Sequence, residues 1–120
     1  MIVVTSATAP TPDAEVDPRF GRAAHFIAMD TDTGAWTAHE NSQNLNAVQG
    51  AGIQAAETAA RLGAEAVITG HCGPKAFRTL AAAGIAVVTG ASGTVRGAVA
   101  AYKSVVLAPT NAPDVKGHWE

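Results

Sequence analysis

The sequence predicts an α/β fold: a mixed five-stranded sheet, made of an antiparallel hairpin followed by β-α-β crossovers, with about three helices. Three observations lead there. Short apolar runs at Ile2-Val3-Val4, Ala66-Val67-Ile68 and Ile85-Ala86-Val87-Val88 have the length of buried strands. Alanine-rich stretches flank the later runs and stop at Gly63 and Gly84, as helices closed by glycine do. Thr31-Asp32-Thr33-Gly34 divides two further strand-like segments with a hairpin signal.

Taken in order, Met1 to Thr5 reads as a strand, and Ser6 to Arg22 as a polar loop in which Pro10, Pro12 and Pro18 forbid regular helix. A loop of that length in a small domain is usually functional or disordered. Ala24 to Asp30 and Ala35 to Glu40 are the hairpin strands, and Asn41 to Gln49 is a second polar loop. Ile53 to Leu62 is the first helix, Ala66 to Thr69 a strand, Pro74 to Ala83 a helix entered through Gly-Pro, and Ile85 to Thr89 the last strand. Thr94 to Tyr102 is the final helix, with Ser92 or Thr94 as its N-cap. Residues 1–103 thus form one domain and 104–120, broken by Pro109, Pro113 and Gly117, an extended tail. Right-handed crossovers place helices on both faces of such a sheet and ligands beyond the carboxyl ends of its strands. Thr5-Ser6, Gly70-His71-Cys72 and Thr89-Gly90 would then open onto one rim.

Bulk properties narrow the class. A chain of 120 residues is one domain by length, and its single cysteine excludes an internal disulfide. Met1-Ile2-Val3-Val4 enters a strand directly, without a basic leader or a long apolar run, so the expected location is cytoplasmic. A formal charge of −2 and a pI near 6.0 provide no general attraction to nucleic acid or anionic lipid. Arg19, Arg22, Lys75, Arg78 and Arg96 nevertheless fall in or just after loops, whereas Asp30, Asp32 and Glu40 sit at the other connections. The expectation is a positive mouth on a mildly acidic body.

Gly70-His71-Cys72-Gly73-Pro74-Lys75 sits where a strand restarts as a helix, which directs free backbone N–H groups and a positive dipole end at one point. His71 and Cys72 are the candidate soft-metal ligands; the plain alternative for Cys72 is a small buried hydrophobe. One cysteine cannot supply the thiolates of an ordinary iron–sulfur cluster, so a bound cluster must bring its own sulfides. Gly50-Ala51-Gly52 before a helix resembles a phosphate cradle but lacks the dinucleotide spacing, and a flexible helix entry explains it equally. Arg19-Phe20-Gly21-Arg22 sets two guanidinium groups around an aromatic, either an anion clamp or a solvated loop. His25, His39 and His118 are weaker candidates, with His39 expected far from the rim. No Gly-x-Ser-x-Gly elbow, Walker lysine or strand-borne carboxylate set is present, which ranks an enzyme below a carrier. The alternative is a phosphate- or nucleotide-binding module or enzyme using the same glycine-rich site.

Val16 to Ala23, Gly50 to Ala56, Ile68 to Phe77 and Pro113 to Trp119, in that order, resemble the dinitrogenase iron-molybdenum cofactor biosynthesis family over nearly the whole chain. The resemblance implies a ribonuclease-H-like fold and binding of a metal–sulfur cluster. Small members include nitrogenase cofactor carriers and the orange proteins, which are similar in size and carry a molybdenum–copper sulfide cluster. By that resemblance the binding face would comprise Arg19, Phe20, Gly21, Arg22, Gly50, Ala51, Gly52, Ile53, Gly70, His71, Cys72, Gly73 and Pro74, with Ser6 on the same rim. The expected cargo is an anionic molybdenum–copper sulfide cluster, or alternatively an iron–molybdenum–sulfur or iron–sulfur precursor, exchanged with a donor or acceptor protein. Such a species can be held by N–H donors, arginines and shape, with few protein–metal bonds.

Overall fold

The computed structural model describes residues 1–43, 50–104 and 108–109. Its strands are β1 (Ile2–Ala7), β2 (His25–Asp30), β3 (Trp36–Glu40), β4 (Ala66–Ile68) and β5 (Ala86–Val88). Its helices are α1 (Ala51–Arg61), α2 (Pro74–Ala82) and α3 (Val95–Lys103). The sheet runs β3-β2-β1-β4-β5, antiparallel on the β3-β2-β1 side and parallel from β1 through β4 to β5. This is the mixed five-stranded sheet with three helices that the sequence predicts.

Alternation along the strands feeds two cores. Val4, Phe26, Ala28, Val67 and Val87 face α1 and α2, where Ala55, Ala56, Ala59, Ala76 and Leu80 close the layer. Val3, Ile27, Met29, Ile68 and Val88 face α3 through Val95, Ala98 and Val99. Alanine on the inner face of α1 lets its backbone lie close to the sheet, so little apolar volume covers much strand surface. Gly63 and Gly84, at φ +80° and +76°, turn the chain out of α1 and α2. Thr94 caps α3 by accepting from the Gly97 N–H, which settles the choice between Ser92 and Thr94.

Two expectations shift. β1 continues through Ser6 and Ala7 instead of ending at Thr5, because Ala7 pairs with His25 and Ser6 finds polar partners inside the fold. The proline-rich segment that follows is tied down along its length. Ala7 bridges Val16, Glu15 bridges Thr94, and the Val16 N–H donates to Gly93 O. Of the tail expected over 104–120, Ser104 is the C-cap of α3 and residues 108–109 are exposed; the rest, with His118, lies outside the described residues, as does most of the 41–49 loop. Among the described residues no helix is long and apolar enough to cross a membrane.

Candidate functional site

The parallel register places the carboxyl ends of β1, β4 and β5 at one edge of the molecule. A helix that follows or precedes a parallel strand by crossover runs against it, so the N-termini of α1, α2 and α3 all lie at that edge. α1 and α2 follow the N-cap glycines Gly50 and Gly73, which bring no capping side chain of their own; the two helices share one face of the sheet and carry no acid in their first turns. No first-turn carboxylate therefore opposes their positive ends. α3, on the opposite face, has its Thr94 cap.

The segment 16–22 is held across this edge by β4's extension. His71 N–H donates to Pro18 O at 2.7 Å, Phe20 N–H donates to His71 O at 3.2 Å, and Arg19 bridges His71 in parallel fashion. Gly70 permits this contact, since a Cβ there would lie 2.7 Å from Pro18 Cα. Ser6 Oγ sits 2.7 Å from the Asp17 carbonyl oxygen and 2.8 Å from Thr69 Oγ1, joining β1, the loop and the end of β4. Asp17 is buried, accepts the Arg19 backbone N–H at 3.0 Å and lies 3.8 Å from Arg19 Nε. Asn41 Nδ2 donates to Gly21 O and Ala23 O, closing the other side of the loop.

This geometry sorts the expected site residues. Arg19, Arg22 and Gly50 are exposed, and Ala51, Ile53, His71 and Pro74 half-buried. Among the described residues no ion pair involves Arg22, whereas Arg19 lies beside Asp17. Ser6, Phe20, Gly21, Gly52, Gly70, Cys72 and Gly73 are buried. Two of these side chains turn inward. Phe20 does not present its ring to a ligand; it packs on Phe26 with ring centroids 5.5 Å apart. Cys72 is fully buried in the core with Phe20, Ala76 and Leu80, its thiol 3.8 Å from Gly73 O, which is the small buried cysteine that the sequence also allowed. Ser6 has the same structural character, its hydroxyl being spent on the loop anchor.

Charge follows the same axis. Arg19, Arg22, Lys75 and Arg78 belong to the rim segments, while Asp30 and Asp32 lie at the hairpin turn at the other end of the sheet. Arg96 drops out of the expected positive mouth, because its Nε is 3.2 Å from Asp13 Oδ1. Glu40 and His39 also depart from expectation. Glu40 pairs with His25, which pairs with Ala7, and His39 with Phe26, which pairs with Ser6, so both stand at the rim end of β3. Asp17, Thr69 and Asn41 were not singled out by sequence. Asp17 heads an Asp-Pro-Arg turn, a readable local signal, but the Thr69 and Asn41 contacts depend on long-range register.

A family model described as "Dinitrogenase iron-molybdenum cofactor" matches residues 1–105. The chain belongs to this dinitrogenase iron-molybdenum cofactor family. Within the family fold it is similar to the apo orange protein of Desulfovibrio gigas, at 40% identity over 95% of this chain and 96% of that one, with a TM-score of 0.89. It is also similar to a putative NifB protein from Thermotoga, at 28% identity over 95% and 98% of the two chains and a TM-score of 0.78. A putative dinitrogenase from Methanocaldococcus jannaschii, 10% identical over 94% and 97% with a TM-score of 0.68, shares the fold alone. No curated protein matches the chain. Family membership supports a role connected with a metal-containing cofactor. Among the described residues of this family member, no group of three or more His, Cys, Asp or Glu side chains is placed to hold a metal ion.

Proposed function

We propose that the protein is a non-catalytic carrier or assembly site for an anionic metal–sulfur cluster, held at the rim by backbone N–H groups and arginine. The observation that carries this reading is the pair of neighbouring helix N-termini at Gly50 and Gly73, whose N-cap residues are glycines and whose first turns carry no acid. An anion placed there gains from both dipole ends, and Arg22 and Arg19 add guanidinium donors from the anchored loop. A cluster that already carries its sulfide ligands needs no thiolate cage, which fits a rim whose one cysteine is closed off in the core.

A molybdenum–copper sulfide is the cargo we favour, since the orange protein is the similar structure with the higher identity of those described above. Iron–molybdenum–sulfur and iron–sulfur precursors share the same anionic, sulfide-bearing character. Half-buried His71, in the turn that leads into α2, is the imidazole we assign to add a bond to copper or iron. A carrier also needs a donor or acceptor protein, and the proposed setting for the exchange is the cytoplasm. The test is anaerobic incubation with tetrathiomolybdate and Cu(I), followed by desalting. A visible charge-transfer chromophore that travels with the protein, with molybdenum in fixed ratio to chain, is expected. A colourless desalted protein overturns the reading, and specific retention of a nucleotide by the metal-free chain favours a phosphate-binding module instead.

A further inference from the structure

The outer edge of the sheet is built for pairing. Among the described residues β3 is hydrogen-bonded only to β2, and the phase of that ladder is fixed at both ends, where Asp30 N–H donates to Ala35 O and Asn41 N–H donates to Ala24 O. Alternation between these points turns the N–H and C=O groups of Thr37 and His39 towards β2 and those of Trp36, Ala38 and Glu40 outwards. Natural edges are commonly protected by lysine, proline, a bulge or a covering loop. β3, with the sequence Trp-Thr-Ala-His-Glu, has no lysine, proline or bulge, and most of it is exposed. Beside it lies an open groove of about 470 Å³ lined in part by Ile2, Ala28, Ala35, Trp36 and Leu62. Met1 and Trp36, the two exposed large hydrophobic side chains among the described residues, belong to this end of the molecule.

We infer that β3 pairs antiparallel with β3 of a second copy about a two-fold axis at Ala38, joining two sheets into one. The register is self-complementary. Ala38 meets Ala38 of the second copy and Trp36 meets Glu40, so every outward residue exchanges both its N–H and its C=O. Side chains agree with this register, because Thr37 falls opposite His39, small alanines meet at the axis, and no charge faces a like charge. β3 runs parallel to β1, so the pairing reverses the second copy's β1 and points the two rims in opposite directions. Both rims stay open, and the inference stands apart from what the rim carries.

Sedimentation velocity of the unloaded full chain, from about 10 µM to about 1 mM, reads the equilibrium directly. The expected result is a shift from the 12.1 kDa chain towards twice that mass as concentration rises. Amide exchange at Trp36, Ala38 and Glu40 should slow over the same range. Trp36→Glu sets two carboxylates opposite each other in each half of the pairing and should weaken association at least ~10-fold. Trp36 is 42% exposed, so the folded monomer is expected to tolerate the change. Adding Glu40→Lys to Trp36→Glu should restore association by making the opposed charges opposite in sign. A parent chain that stays monomeric throughout, a Trp36→Glu variant that associates as the parent does, or concentration-dependent protection confined to other segments would each overturn the inference.

Discussion

Removing the Cys72 thiol is expected to weaken the fold and spare the cargo. Cys72 is fully buried beside Phe20, Ala76 and Leu80, so Cys72→Ala should cost about 1–2 kcal/mol in denaturant unfolding through lost packing. Cluster retention after desalting should change less than about threefold; complete loss would return the sulfur to the role of ligand. Thr5 makes the converse case. Its Oγ1 is buried without a hydrogen-bond partner, and leaving such a group unsatisfied costs about 1–3 kcal/mol, so Thr5→Val should raise the unfolding midpoint. Asp30 provides a pH signature. The Asp32 backbone N–H, donating to Asp30 Oδ1 at 2.8 Å, holds this carboxyl below its ordinary range, with further help from Thr33 N–H and the N-terminal ammonium. A depressed folded pKa contributes stability that is present above the unfolded value and lost as pH falls through the folded one. The deficit of Asp30→Ala relative to the parent, measured by thermal unfolding, should therefore be full at neutral pH and shrink below about pH 4. Single residues were also where sequence reading was least able to see. Phe20 and Cys72 stand in loop segments among glycines and arginines, and only the closure of 16–22 against 70–72 turns both inward.

At the scale of elements the glycine N-cap of α1 makes opposite predictions for stability and affinity. Gly50 is extended, at φ −76° and ψ 178°, and a Cβ there meets nothing within 4 Å, so a side chain fits. Gly50→Asp should cap α1 and stabilise the protein by a few tenths of a kcal/mol, while repelling an anionic cluster and lowering its retention at least ~10-fold. Gly50→Asn should give the cap without the charge and keep most of the binding. Equal losses for both variants, or none for either, would remove the α1 end from the site. Most elements were legible because their signals are local. Alternating apolar residues, Gly-Pro at the start of α2 and glycines after α1 and α2 place them within a residue or two. The misses were at β1, whose Ser6 is satisfied by Asp17 and Thr69 from far along the chain, and at α1, which starts at Ala51 instead of Ile53. A polar residue ends a strand pattern on paper, yet remote partners can keep it inside the sheet.

For the whole molecule, the parallel half of the sheet collects three strand ends and three helix starts at one edge, and the antiparallel hairpin adds the far ends of β2 and β3. Sequence order alone predicted that convergence, because crossover handedness leaves few topologies. It did not place His39 and Glu40 at the rim end or neutralise Arg96 with Asp13, since both depend on register and on which loops meet. An anion held at an open mouth by dipoles and guanidinium groups is exposed to screening over about 10 Å at 0.1 M salt, whereas a metal–thiolate bond is not. The decisive measurement is molybdenum retained per chain after anaerobic loading with tetrathiomolybdate and Cu(I), followed across a series of salt concentrations for the parent and Cys72→Ala. Retention in both proteins that falls together as salt rises is the predicted result. Retention that ignores salt and disappears with the Cys72 thiol would contradict it.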